Sequence, residues 1–328
     1  MGLGILTRHR TQILEALSAT LAGESPLRAS LRYHAGLTDE QGERVDASGK
    51  LLRPSLVLFV AGELGGTADR AMPAAVALEL VHNFSLIHDD IQDGDRMRRG
   101  RPTVWTLWGT GEAINAGDLM YTLAIETALR AGDGVAELLL RATDEMIEGQ
   151  SLDLGFEDRP ATLEEYLEMI DRKTGALLCA AFELGAVVAD ADRSVRKRLR
   201  ALGRSVGRAF QIQDDLLGVW GDSEIVGKPN GSDIRRRKRS YPVILAFEKA
   251  QADDRATLEA TYARESSTDE EIATVVAIMD RLGILEAGQA TVREHLEEAA
   301  RVVEALPFST GGRDEMTELI AYLARRGE

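Results

Sequence analysis

Apolar residues recur at three- and four-residue spacing along almost the whole chain, and the strict alternation of a half-buried strand is hard to find. Such a chain must bury helical stripes against other helices. The periodic runs cover 13–21, 51–64, 72–87, 114–129, 135–154, 163–170, 176–188, 195–220, 243–249, 272–282, 287–306 and 315–323. Turn-forming residues separate them, notably Gly65-Gly66, Gly100 to Pro102, Gly109 to Gly111, Gly132 to Gly134, Gly227 to Gly231 and Pro307 to Gly312. About a dozen helices, several of them long, predict an all-α fold: one large antiparallel helical bundle around a central cavity. No Pro-rich or Ser/Gly-rich tract marks a linker, so residues 1–328 are read as a single domain.

The net charge is −15 and the pI about 4.9, which argues against a nucleic-acid binder, since that affinity depends on clustered Lys and Arg. A small polyanion could still bind where cations are concentrated. Arg96, Arg98, Arg99 and Arg101 form one such group, and Lys228 with the run from Arg235 to Arg239 forms another. The single cysteine, Cys179, lies in an apolar stretch and reads as a buried structural thiol. No apolar run approaches the roughly 20 residues of a membrane span, and the N-terminus lacks a secretory core, so a cytoplasmic protein is expected.

Two acidic knots stand out, Asp89-Asp90-Ile91-Gln92-Asp93 and Asp214-Asp215, each at the end of an apolar helical run. Carboxylates four apart share one helix face, so Asp89 and Asp93 point the same way. Two unit charges roughly 6 Å apart repel by about 0.7 kcal/mol in water and about 3 kcal/mol at an effective dielectric of 20. A solvated helix end tolerates that. Beside an apolar wall the pair calls for a hard divalent cation, above all Mg²⁺, which binds a few carboxylates together with substrate phosphates.

Cationic motifs surround the knots. Gly49-Lys50-x-x-Arg53-Pro54 opens a helix, and Arg98-Arg99-Gly100-x-Pro102-Thr103 forms a cationic turn. Guanidinium forks suit phosphate oxygens and lysine serves as a point charge. Further strings follow in order: Asn115-Ala116-Gly117-Asp118, Gly149-Gln150-x-x-Asp153, Lys173-Thr174-Gly175, Gly207-x-x-Phe210-Gln211-x-x-Asp214-Asp215, Gly227-Lys228-Pro229 and Asp233-x-x-x-x-Lys238. With Leu86-Ile87-His88-Asp89-Asp90-x-x-Asp93, this set resembles the trans-isoprenyl diphosphate synthases (polyprenyl synthetases), from about residue 45 to the C-terminus.

The resemblance implies an isoprenoid synthase class I bundle that elongates prenyl chains head to tail from isopentenyl diphosphate and an allylic diphosphate. It implies that Asp89, Asp93 and Asp214 hold three Mg²⁺ per active site, with Asp90 and Asp215 as supporting carboxylates and Asp153 behind them. Arg98, Lys173, Lys228 and Lys238 are then expected to grip the allylic diphosphate; Lys50, Arg53, His82 and Arg99 form the site for isopentenyl diphosphate. Thr174 and Gln211 stabilise the carbocation with dipoles. Ser85 and Phe84, small then aromatic ahead of a short first motif, resemble geranylgeranyl diphosphate synthases. Phe84 is thus the expected floor for a C20 chain, with Val81 and Leu78 deeper on the helix. Relatives of this kind pair as homodimers through a central helix, here 114–129.

Two departures and several alternatives stand beside this reading. Gly218 occupies the fifth position of the second motif, where the family usually carries aspartate, and Asp222 one turn later could partly substitute. Leu51 replaces a basic residue often found beside Lys50. These gaps leave room for a non-catalytic partner subunit that binds prenyl diphosphates, while a C15 or C25 synthase is the alternative to the C20 reading. A class I terpene cyclase would need an Asn/Asp-x-x-Ser/Thr-x-x-x-Glu string on the appropriate helix, and none is present there.

Overall fold

The computed structural model describes residues 4–221, 231–264 and 267–324. Apart from one short hairpin and an isolated bridge, the described residues form helices and connecting turns, as the three- and four-residue periodicity predicts. Contacts sort into two compact units, each built from discontinuous stretches. The first comprises Met1–Thr143, Cys179–Arg200 and Leu306–Glu315; the second comprises Asp144–Leu178, Ala201–Ala305 and Met316–Glu328. None of the described helices is long and apolar enough to cross a membrane.

The first unit is organised around the helix Ala68–Gln92, which packs against Leu52–Glu63 and Thr110–Ala131. Its first half is apolar all round (Ala71, Ala74, Ala75, Val76, Ala77, Leu78, Leu80 and Val81 are buried), which makes it a central helix. Thr67 caps its start by accepting from the Arg70 N–H. The last turn carries Asp89 and Asp90 and no basic residue. Beyond it, Met97–Arg98 pairs antiparallel with Arg101–Pro102. The two turn residues, Arg99 and Gly100, have φ of 53° and 74°, the left-handed conformation that a two-residue hairpin of this kind requires. Two-residue strands are too short to show alternation, so the sequence reads here only as a cationic turn.

The second unit has its own core, in which Tyr166, Ile212, Leu216, Tyr241, Ile244, Ile272, Val275 and Met279 are buried together. Full burial of a large aliphatic side chain such as Ile212 stabilises by about 1.5–3 kcal/mol. Capping boxes start two of its helices: Thr162 with Glu165 ahead of Leu163–Ile170, and Thr268 with Glu271 ahead of Asp269–Arg281. Leu163–Ile170 runs into a π-turn, Asp171–Gly175, before the helix resumes as Ala176–Val188. Pro26–His34 and Ala252–Tyr262 are helical beyond the periodic runs; Pro26 at the first position and the Ser25 cap start the former.

Candidate active site

In the first unit, Asp89 lies in the last turn of the Ala68–Gln92 helix, and Asp93 is its C-cap, with its N–H bonded to the Asp89 carbonyl at 2.8 Å. Asp93 is exposed, Asp89 half-buried, and Asp90 is only 1% exposed. The C-terminal end of a helix already carries partial negative charge, so each extra carboxylate there costs about 0.3–1 kcal/mol without a cation. Asp90 turns inward. Arg98 donates from Nε to its Oδ1 over 2.6 Å, while Oδ2 is buried without a hydrogen-bond partner among the described residues. Burial pushes the Asp90 carboxyl up to about 6 despite Arg98. Arg98, read from the sequence as a diphosphate grip, is thus engaged by Asp90.

The same helix carries a second polar group two turns earlier. His82 Nε2 lies 3.1 Å from Arg53 Nη1, and burial, with Arg53, Arg99, Arg98 and His34 nearby, keeps its imidazole neutral, well below the ordinary range. The Arg99 guanidinium covers Gly49: a Cβ added there would lie 2.9 Å from Arg99 Cζ. Glu79, three residues before His82, is the counter-charge. It is 3% exposed and accepts from Asn83 Nδ2 at 3.0 Å; burial raises its carboxyl, and Arg53 and Arg99 pull it back down. Sequence reading passed over Glu79, although its i,i+3 spacing to His82 places both on one face. Lys50 is exposed just ahead of this group, and Leu51 holds a left-handed φ of 50° at the helix start.

The hairpin that presents Arg98 and Arg99 is firmly held. Tyr33 donates to the Pro102 carbonyl at 2.8 Å, Arg101 donates to the Thr38 carbonyl at 2.7 Å and lies 4.0 Å over the Tyr33 ring, and Trp105 donates to the Asp95 carbonyl. Phe84 faces the neighbouring helix: its ring lies 5.2 Å from Tyr121 and 5.3 Å from His88. Gly117 makes room for His88, whose Nε2 would lie 2.2 Å from a Cβ at that position. Ser85 donates its hydroxyl to the His82 carbonyl, and Val81 and Leu78 are fully buried. Tyr121 is a chain-length candidate that sequence reading missed, since only packing pairs it with Phe84.

In the second unit the π-turn carries Lys173 and Thr174. Gly149 allows it to form: a Cβ there would sit 2.2 Å from the Lys173 backbone nitrogen. Such π-turns recur at functional sites. Lys173 forms a close ion pair with Asp153, whose carboxyl burial would raise but Lys173 and Lys238 hold low. Thr174 Oγ1 donates to Gln211 Oε1 at 2.7 Å, and Gln211 Nε2 donates to Asp215 Oδ1 at 2.9 Å. Asp215 is 2% exposed and also accepts from Tyr166 Oη at 2.7 Å and from the Tyr241 N–H at 2.8 Å. Asp215 therefore anchors Gln211 and Thr174. Asp214, its neighbour, is exposed.

Lys238 stands in the field of this carboxylate group. Burial alone would lower its ammonium, but Asp215, Asp153, Asp233 and Asp214 raise it well above the usual lysine range. Gly218 bears on the same cluster. A Cβ at Gly218 would lie 2.5 Å from Asp233 Oδ2, so the Asp233 carboxylate fills the space a side chain at 218 would need. Lys228 and Asp222 lie outside the described residues.

Among the described residues no three or more His, Cys, Asp or Glu side chains converge as an all-protein metal cage. The donors nevertheless fit Mg²⁺. They are hard carboxylate oxygens one turn apart, Asp89 and Asp93, at an electronegative helix end, beside a buried Asp90 oxygen that lacks a partner among the described residues. Mg²⁺ takes one or two carboxylates and completes its octahedron with water and substrate phosphates.

The family model described as polyprenyl synthetase matches residues 37–279. The chain is 40% identical over 309 residues to a (2E,6E)-farnesyl diphosphate synthase of Mycobacterium tuberculosis H37Rv, covering 92% of this chain and 86% of the relative. It is 36% identical over 336 residues to a geranylgeranyl diphosphate synthase of the same organism, covering 99% and 94%. A crystal structure of a polyprenyl synthetase from Streptomyces coelicolor A3(2) superposes with a TM-score of 0.89 at 36% identity, covering 98% of each chain. Fold, motif order and full-length likeness agree: the chain belongs to the polyprenyl synthetase family.

Proposed function

We propose that this chain condenses isopentenyl diphosphate head to tail with an allylic diphosphate and releases a short-chain all-trans prenyl diphosphate, geranylgeranyl diphosphate (C20). The observation that carries this reading is the helix Ala68–Gln92. His82, part of a cationic group with Arg53 and Arg99, and Asp89 of the acidic end are seven residues apart on it, about 10 Å of rise and nearly one face. One helix thus carries two environments for phosphate: one cationic without carboxylate ligands at its surface, the other needing a cation first.

In the reaction, the allylic C1–O bond breaks and pyrophosphate departs with its electron pair. The C3=C4 π electrons of isopentenyl diphosphate form the new C–C bond to the resulting carbocation, and a proton leaves to restore a double bond; the released pyrophosphate is a suitable acceptor. Asp89, Asp93 and Asp214 would hold Mg²⁺, three ions per site, which when bound neutralises the charge that grows on the leaving group. Arg98, Lys173, Lys228 and Lys238 attract the allylic diphosphate; Lys50, Arg53, His82 and Arg99 hold isopentenyl diphosphate in a site without metal, where its own C–O bond must not ionise. Asp90 and Asp215 fix Arg98 and Gln211 respectively. Thr174 and Gln211 offer dipoles to the cation rather than a nucleophile that would trap it.

The relatives support chain elongation, and both farnesyl and geranylgeranyl synthases are among them. Small Ser85 and large Phe84, four and five residues before Asp89, with Phe84 packed on Tyr121, favour the C20 product over C15. Exposed Ile114 and Leu129 on the Thr110–Ala131 helix suit burial against a second copy, so a homodimer is expected by size-exclusion chromatography. Incubation with isopentenyl diphosphate, each allylic primer and Mg²⁺, with products sized by chromatography, tests the whole reading. A hydrocarbon or alcohol would identify a cyclase, and turnover only with an added protein would identify a partner subunit.

A further inference from the structure

A cavity of about 400 Å³ lies in the second unit, walled by Pro160, Ala161, Ile244, Phe247 and Ala263, with Thr162 at its side. That size suits a small-molecule ligand, and mostly apolar walls with a few polar groups are typical of such sites. Its charged groups divide unequally. Arg255 donates to Glu259 over 3.0 Å and to the Phe247 carbonyl over 2.7 Å. Glu248 accepts from the Leu163 N–H at 3.1 Å. Arg239 is left over: its guanidinium lies 4.8 Å from the Phe247 ring centroid and 4.7 Å from that of Tyr262, and among the described residues it makes no ion pair or hydrogen bond.

Two stacked rings orient a guanidinium but leave its five N–H donors unspent. A second unspent donor stands in the same wall: the Tyr262 hydroxyl is buried without a partner among the described residues, and Tyr262 is 8% exposed. We propose that this cavity binds a small molecule that joins an apolar body to one carboxylate or phosphate, with the anion on Arg239 and the body against Phe247 and Ile244. Arg239 directly follows Lys238 and precedes Ser240-Tyr241, whose Tyr241 N–H reaches Asp215. A ligand here would therefore press on the backbone segment that ends at the Asp215 network, which suits an effector. The run Arg235 to Arg239 thereby resolves into separate tasks, since Arg235 pairs with Asp269 and Arg237 donates to the Arg264 carbonyl.

Binding of 2-naphthoate to the full-length protein, measured by calorimetry without Mg²⁺ or diphosphate, tests this independently of the proposed reaction. Low-millimolar or tighter binding is expected, and loss of the anionic contact in Arg239→Gln should weaken it at least about tenfold. Arg239→Lys should recover part of the affinity. The neutral 2-naphthylmethanol should bind at least about tenfold more weakly than the carboxylate, and Asp89→Ala should leave affinity unchanged. A prenyl monophosphate that competes with naphthoate in the Asp89→Ala protein would identify the phosphate form of the ligand; failure to compete leaves the carboxylate form. Equal affinity for the neutral analogue, equal affinity in Arg239→Gln, or no binding at low millimolar concentration would overturn the proposal.

Discussion

Tyr166 donates its phenolic hydrogen to Asp215 over 2.7 Å, and both groups are buried. Burial first, then the Asp215 charge, raises the Tyr166 hydroxyl well above the usual phenol range, so it remains a donor at any working pH. The Tyr241 N–H and Gln211 Nε2 complete the shell of the carboxylate. A buried carboxylate that lost one of these donors would release Gln211, and through it Thr174, from a fixed orientation.

Tyr166→Phe is therefore expected to cost about 1.5–3 kcal/mol of stability, the worth of one hydrogen bond to a charged group. It should also lower kcat by roughly tenfold, since the dipoles facing the carbocation are no longer held. Urea unfolding and initial rates measure the two effects. A variant with unchanged stability and rate would remove Asp215 from its anchoring role.

Gly218→Asp should not improve the enzyme, although it restores an aspartate the family usually carries at this position. The new side chain would enter space held by the Asp233 carboxylate, with a Cβ 2.5 Å from Oδ2, and would add like charge to the field around Lys238. Overpacking alone costs about 1–3 kcal/mol. Activity is expected to fall at every Mg²⁺ concentration, whereas Asp233→Asn should raise the Mg²⁺ requirement. A Gly218→Asp variant with higher activity would show that the Asp233 carboxylate does not exclude a side chain at position 218.

Glu79→Gln keeps the shape of the side chain and an oxygen that can accept from Asn83, but removes the negative charge near Arg53 and Arg99. These two cations would then repel each other unopposed until a diphosphate arrives. The expected outcome is a KM for isopentenyl diphosphate changed by roughly tenfold, the scale of one close charge interaction at partial burial, with the allylic KM unmoved. Steady-state kinetics with each substrate varied in turn separates this from general destabilisation, which would alter both.

What could be read directly from residue order was whatever repeats locally. The three- and four-residue period located the long helices to within a few residues, and the i,i+4 spacing put Asp89 and Asp93 on one face. Contacts across the chain were not legible. Tyr166 and Asp215 are 49 residues apart, and nothing in either local string announces the other. Arg98 read as a free anion ligand because the turn at Gly94 that brings it back onto Asp90 depends on backbone geometry. Glu79 drew no reading at all, because its partners Arg53 and Arg99 are distant in sequence. Gly149 and Gly117 stand in motif strings whose order carries no packing information, yet each marks where another side chain or segment comes too close for a methyl group.

His34 gives the first unit an acid-sensitive element. Its Nε2 is buried without a partner among the described residues; burial first, then Arg98 and Arg99, lowers its imidazole to about 3 despite a hydrogen bond to the Asn83 backbone. In the unfolded chain it titrates near the ordinary 6.5, so between these values the unfolded state binds more protons. The stability is thus fully present above about pH 6.5 and is lost as pH falls toward about 3, at about 1.4 kcal/mol per pH unit. Urea unfolding across this window should give a shallower slope for His34→Gln by about that amount. An identical slope would mean that His34 is protonated without penalty in the folded protein.

Phe84 and Tyr121 form the last testable pair. Their rings lie 5.2 Å apart, and Phe84 is 7% exposed, with fully buried Val81 and Leu78 at the preceding turns of the helix. If Phe84 is the floor for a growing prenyl chain, Phe84→Ala removes an obstacle of about one isoprene unit while Tyr121 still narrows the space beside it. The expected product is a mixture one or two units longer than that of the native enzyme, and Phe84→Ala with Tyr121→Ala should extend it further. The truncation also costs stability, up to about 3–5 kcal/mol for a fully buried ring and less where the side chain borders a cavity. Product size is therefore read by chromatography on protein that is still folded at the assay temperature. A folded Phe84→Ala protein with products of native length would place the floor elsewhere, and a longer product from Tyr121→Ala alone would move it to the neighbouring helix.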